Sequence, residues 1–402
     1  MPLPKELQVR ILRRWLEKKG IDPDTVDLEA LVDSNLEFAE NVKNVERHLG
    51  ISLKHIGFSE EDAKAYEEYG NNLSLQSHLR DIEEKIEEEE KRHYSEITGR
   101  FEELAEKGDP LEYLSKQLFP ELVGEQYDFV RKAVLLSLVT HYDKAKRTRI
   151  HVLIVGPPGT GKTEILKWIS TKLGAAFVNG EYVSKVGLTA DARGKNVTPG
   201  VLAEYDGHIV CIDEIDKIPP RDQGGLLQAM EEGAYTVVKG KHRTRFRAEV
   251  RVIASANDLN KVIPPLRDRF DFIIELKIPS RDERANMVDK IVDEFFGRYN
   301  TDSNILHEYI NWISGFEPGV EDLETIKKVM REYIKLTNND IESFSVRSLE
   351  LSVLRIAYAL AKLEKKNVTP LHVVKAIRLK DPTLNNTQYK YLAAIAEKII
   401  DE

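Results

Sequence analysis

A lysine and a threonine behind a glycine-rich turn are the residue types that hold a triphosphate. In this chain the turn reads Gly156-Pro157-Pro158-Gly159-Thr160-Gly161-Lys162-Thr163, the G-x-x-x-x-G-K-T spacing of a P-loop. Glycines let successive backbone N–H groups curl around phosphate oxygens, where a Cβ would obstruct them. Lys162 can reach the β- and γ-phosphates, and the Thr163 hydroxyl can ligate Mg²⁺. All eight positions are therefore candidate nucleotide contacts. A second acidic element follows: apolar Ile209-Val210-Cys211-Ile212, then Asp213 and Glu214. Asp213 would hold the Mg²⁺ shell, through water, and Glu214 would polarise the attacking water. Hydrolysis needs both halves. A third apolar run, residues 250–257, ends in Asn257, placed to orient that water between the two phosphate-binding strands. No N-K-x-D segment is present to read a guanine, so ATP is the expected nucleotide. The histidines are scattered, with none at ligand spacing, so no separate metal site is expected.

These side chains need a scaffold that brings strand ends together. Apolar β-branched runs at 150–155, 175–178, 208–212, 250–255 and 272–276 alternate with helical spacing. That alternation predicts a doubly wound parallel sheet, whose ligands bind at the C-terminal ends of the strands. The run after Thr163 has helical spacing, so a helix N-terminus would face the anion. Thr236–Val238 and Arg243–Phe246 flank Lys239-Gly240-Lys241 and read as a β-hairpin. Its Lys239, Lys241, Arg243 and Arg245 are candidate contacts to nucleic-acid phosphates, or a solvated basic turn.

Outside this core the chain reads as helical. Pro4 opens a first helix, Lys5–Lys19, that Gly20 ends, with Leu7, Ile11, Leu12 and Trp15 on one face. Residues 76–107 keep a thin apolar stripe through a highly charged stretch and predict one long amphipathic helix, broken at Gly108-Asp109-Pro110. From 281 onward the pattern is helical again. The expected divisions are a helical N-terminal domain at 1–109, an α/β core at 110–280, and a helical lid with C-terminal helices at 281–402. The 402 residues carry a formal charge of −9, so any nucleic-acid contact must come from a local patch. The single cysteine, Cys211, excludes an internal disulfide. No apolar run is long enough to span a membrane, and a cytoplasmic location is expected.

The order of these elements resembles AAA+ ATPases, and within them the branch of minichromosome maintenance (MCM) helicases, with MoxR-type ATPases next. The resemblance is carried by Leu118–Lys132, Gly187-Leu188-Thr189-Ala190, the IDEIDK run, Met230-Glu231 with the hairpin after it, LRDRFD at 266–271, and Ser345–Leu379 as a lid. It implies an α/β fold: a P-loop AAA+ doubly wound parallel sheet with a helical N-terminal domain and a C-terminal helical lid. It also implies Asn257 as sensor 1, Arg269 as an arginine finger and Arg347 as sensor 2, with ATP and Mg²⁺ as cofactors. Arg269 and Arg347 would then act on a neighbour's ATP in a homo-oligomeric ring, a hexamer. The implied function is a motor on DNA. The alternative is a MoxR-like protein remodeller whose helical N-terminal domain recruits a protein client. The chain departs from the MCM pattern in carrying Pro157 after the first glycine of the loop and Lys-Thr rather than Lys-Ser at its end. It also shows no zinc-ligand cysteines or OB-like strands in its first 109 residues.

Overall fold

The computed structural model describes residues 3–51, 53, 97–141, 143, 147–183, 185–191, 197–239, 242–296, 303–337 and 346–399. The chain divides into two compact units, Met1–Phe101 and Glu102–Glu402.

In the first unit, α1 (Lys5–Lys18) starts after Pro4, whose fixed φ suits a helix entry. Its face of Leu7, Ile11, Leu12 and Trp15 is buried against Phe38, Val42 and Val45 of α2 (Phe38–Leu49). Trp15 and Phe38 meet edge to face at 5.5 Å. A buried amide pair crosses the same interface: Asn41 Nδ2 donates to Gln8 Oε1 at 2.8 Å, and Gln8 Nε2 donates to the Leu3 carbonyl at 2.7 Å. Each amide thus finds a partner out of water. The long helix expected over 76–107 falls mostly outside the described residues; 97–107 is helical.

In the second unit five strands form one parallel sheet: β1 (Val152–Val155), β2 (Ala176–Asn179), β3 (Ile209–Asp213), β4 (Arg251–Ala256) and β5 (Phe272–Glu275), in the order β2-β3-β4-β1-β5. β1 and β3 are buried along their whole length, as expected of parallel strands covered by helices on both faces. Parallel register places Val155 beside Ala256 and Glu275, so the strand ends that carry chemistry lie at one edge. The covering helices include α3 (Glu125–Val139), α4 (Lys162–Leu173) and α5 (Gln223–Glu232). Beyond α5 the hairpin arms Ala234–Lys239 and His242–Arg247 pair antiparallel, from Ala234 opposite Arg247 to Lys239 opposite His242.

After β5 the unit is helical: α6 (Arg281–Phe295), α7 (Ser303–Ser314), α8 (Leu323–Leu336), α9 (Val346–Leu363), α10 (Pro370–Lys380) and α11 (Asn386–Ala396). α9 packs on α10 and on α3, which ties this lid to the core. The junction is polar at its centre. Asp271, fully buried beside β5, accepts from the His151 N–H at 2.9 Å, from Ser352 Oγ at 2.8 Å and from Arg355 Nη1 at 2.9 Å. Lys380 Nζ reaches the Asp271 main-chain oxygen at 2.5 Å. Burial opposes the charge on Asp271, but Arg355 and His151 outweigh it and hold the carboxyl below the usual aspartate range. No helix among the described residues is long and apolar enough to cross a membrane.

Candidate nucleotide site

The loop between β1 and α4 is shaped by two requirements on glycine. At Gly156 the chain runs so close to β5 that a Cβ would stand 2.6 Å from the Leu276 carbonyl oxygen. At Gly159 and Gly161 φ is +82° and +79°, conformations that other residues adopt only with strain. The turn then feeds α4, whose first residue is Lys162, so free backbone N–H groups and the positive end of the helix dipole face the loop. Lys162 is buried, and its ammonium donates to the carbonyls of Gly156 at 2.7 Å and Pro157 at 2.9 Å. Burial lowers its pKa, while the carboxylates of Asp213, Asp216 and Glu214 pull it back up. From the other side, the Tyr127 hydroxyl on α3 donates to the Thr160 carbonyl at 3.1 Å. The segment leading into α3 is fixed by Arg131, which donates to the carbonyls of Leu118 (2.8 Å), Phe119 (2.9 Å) and Leu122.

At the ends of β3 and β4 the acidic residues join one hydrogen-bonded chain. Thr163 Oγ1 donates to Asp213 Oδ2 at 3.0 Å, and Ser255 Oγ donates to Asp213 Oδ1 at 2.5 Å. The same Ser255 hydroxyl accepts from the Glu214 N–H at 2.9 Å. Asn257 Nδ2 donates to Glu214 Oε1 at 3.1 Å. Glu214 sits at φ +54°, ψ +50°, a left-handed conformation that costs a non-glycine residue roughly 1–3 kcal/mol. The reversal takes its side chain out of the strand alternation and over to Asn257. Asp216 holds the far side of the turn by accepting from the N–H groups of Asn257 and Asp258, each at 3.2 Å.

The arrangement thus brings together Lys162, Thr163, Asp213, Glu214 and Asn257. Thr163 and Asp213 present adjacent hard oxygen donors, the ligand type Mg²⁺ prefers. Arg269 stands apart, its Nη2 donating to Glu231 Oε2 at 2.9 Å. Arg347 is in the first turn of α9, and its side chain lies outside the described residues, as does that of Lys239. Lys241 lies wholly outside them. Arg243 and Arg245 are on the exposed face of the hairpin with Arg247. Their field is partly offset: Arg245 lies 3.8 Å from Glu232, and Arg247 pairs with Asp206 at 3.3 Å and Glu249 at 2.9 Å. Sequence reasoning missed Ser255, Asp216 and Tyr127. Ser255 had a signal, since it lies two residues before Asn257 in an extended run and so shares its face.

A P-loop and an acidic strand end on a five-stranded parallel sheet, with an asparagine on the neighbouring strand and a helical lid behind, define an AAA+ P-loop protein. Residues 98–295 match the MCM P-loop domain, and this part of the chain is an MCM-like AAA+ domain. It is 30% identical over 318 residues to DNA replication licensing factor Mcm6 of Anopheles gambiae, covering 67% of this chain and 38% of that protein. Against DNA replication licensing factor MCM7 of Arabidopsis thaliana it is 30% identical over 316 residues, covering 69% of this chain and 44% of the relative. The chain therefore spans less than half the length of these relatives. The MoxR-type features read in the P-loop gain no support from these matches.

Proposed function

We propose that this chain is an ATP-hydrolysing subunit of a ring assembly that works on DNA. The observation that carries this reading is the continuous hydrogen-bonded chain from Thr163 through Asp213 and Ser255 to Glu214 and Asn257. It joins a phosphate loop to a water-polarising carboxylate, the two halves that hydrolysis requires. Lys162 and the loop N–H groups bind the β- and γ-phosphates. Thr163 and Asp213 hold Mg²⁺, which supplies charge neutralisation on the phosphate oxygens when bound. Glu214 polarises the attacking water, and Asn257 fixes the carboxylate and orients that water. Arg269, and Arg347 from the lid, act on the nucleotide of an adjacent copy in a homo-oligomer, a hexamer in this proposal. Such a finger in trans is worth about 10³–10⁵ in rate.

The names of the relatives, DNA replication licensing factors, support DNA as the object of the motor. The exposed Arg243 and Arg245 supply sequence-independent phosphate contacts, joined by Lys239 and Lys241 in this reading. The protein would work in the aqueous interior of the cell, in contact with DNA. The test is Mg²⁺-ATP turnover by the purified chain with and without single-stranded DNA, over a range of salt. Stimulation that fades as salt rises supports a nucleic-acid motor. Turnover with no DNA binding at low salt overturns the DNA assignment and leaves the ATPase.

A further inference from the structure

Arg269 is not a satisfied structural arginine. Its Nε–H is buried with no hydrogen-bond partner among the described residues, and its Nη2 is held by the Glu231 carboxylate at 2.9 Å. The backbone around it is fixed. Phe270 and Asp271, directly after it, are both buried, and the Arg269 N–H donates to the Leu266 carbonyl at 3.1 Å. What remains adjustable is the guanidinium, and Glu231 is the side chain that orients it.

Glu231 lies in the last turn of α5, which ends at Gly233 with φ +67°. The next residue, Ala234, begins the basic hairpin. The hairpin's return is tied to the same spot, because the Ala248 N–H donates to the Gly233 carbonyl at 2.8 Å. Arg149 secures this helix end, bonding the carbonyls of Met230 at 2.9 Å and Ala229 at 3.2 Å. A displacement of the hairpin therefore pivots about the residues that carry Glu231.

We propose that Glu231 is a positioning residue for Arg269, holding its guanidinium in the orientation offered to a neighbouring subunit's nucleotide and tying that orientation to the root of the basic hairpin. This rests on the reading of Arg269 as a residue acting in trans. A charged side chain moved by about 1 Å from its working position costs roughly a hundredfold in rate. Glu231→Ala in the full chain is therefore expected to lower ATP turnover about ten- to a hundredfold while its own loop binds a fluorescent ATP analogue as the parent does. Glu231→Gln, which keeps an acceptor oxygen but no charge, is expected to fall between the two.

The decisive measurement mixes chains. Glu231→Ala carries an intact loop and a misplaced Arg269, whereas Lys162→Ala carries a dead loop and a well-placed Arg269. Mixed assemblies are expected to regain activity. In addition, stimulation by a single-stranded oligonucleotide, taken as a ratio to basal turnover, is expected to shrink toward one in Glu231→Ala. The control is the mixture of Arg269→Ala with Lys162→Ala. If the control recovers and the Glu231→Ala mixture does not, the positioning role is overturned while action in trans stands. If neither recovers, action in trans fails and takes this proposal with it. An unchanged stimulation ratio in Glu231→Ala overturns the tie to the hairpin.

Discussion

Glu214 is held at three points: its own N–H on Ser255, its carboxylate on Asn257, and a left-handed backbone that turns it out of β3. Glu214→Gln preserves the size of the side chain and its contact with Asn257. It is expected to bind ATP with parental affinity and to lose about 10²–10⁴ in turnover, the usual contribution of a positioned proton acceptor. Lys162→Ala is expected to lose binding of a fluorescent ATP analogue. Ser255→Ala leaves both the Asp213 carboxylate and the Glu214 N–H without a shared partner. Turnover should fall in that variant, and the concentration of Mg²⁺ giving half-maximal rate should rise. The loop, Asp213, Glu214 and Asn257 were legible in the sequence because their chemistry sits in contiguous motifs at strand ends. Asp216 was not, because its role is to receive two N–H groups from another strand's exit, and no spacing within IDEIDK announces that.

Among the elements, the sheet follows from local patterning. The apolar runs of β1, β3 and β4 are buried as central parallel strands, β2 and β5 form the half-exposed edges, and all five formed within a residue or two of where the pattern placed them. The bond between core and lid was invisible by the same logic, since Asp271, Ser352, Arg355 and Lys380 are far apart in the chain and meet only after folding. Removing one partner of a buried ion pair costs about 3–5 kcal/mol because the other charge is left stranded. Asp271→Asn should approach that figure. Arg355→Gln should cost less, because the Arg355 side chain is still 18% exposed. Urea titration of both variants checks the order.

His151, at the same junction, accepts the Val252 N–H on Nδ1 at 3.0 Å. Burial first, and then Arg149, push its pKa from 6.5 down to about 3. Between those values the unfolded chain binds a proton that the folded protein excludes, so stability falls as pH drops through that window. From pH 6.5 to pH 5 the loss is about 1.5 kcal/mol, because the slope reaches 1.36 kcal/mol per unit only once the unfolded histidine is mostly protonated. His151→Asn, which keeps an acceptor near Nδ1 and cannot titrate, should lack this component in denaturant titrations at the two pH values.

For the whole molecule, the proposed action of Arg269 on a neighbouring nucleotide calls for a second copy. A mixture of Arg269→Ala and Lys162→Ala chains should regain turnover that neither has alone, measured as phosphate release after co-assembly. Arg243→Ala with Arg245→Ala should reduce single-stranded DNA binding and flatten its salt dependence by about 0.7 in the log–log slope for each phosphate no longer neutralised. Arg247 would remain, paired with Asp206 and Glu249.

Gly156 extends the sheet by one residue. Its N–H donates to the Ala256 carbonyl at 3.1 Å, just before Asn257, and its Cα lies against the Leu276 carbonyl, where the chain departs for the lid. Main-chain contacts alone thus link the start of the phosphate loop to the residue before Asn257 and to the root of the C-terminal helices. Such a linkage is deaf to side-chain replacement along its route, save at position 156 itself, where a single added methyl would wedge the two arms apart.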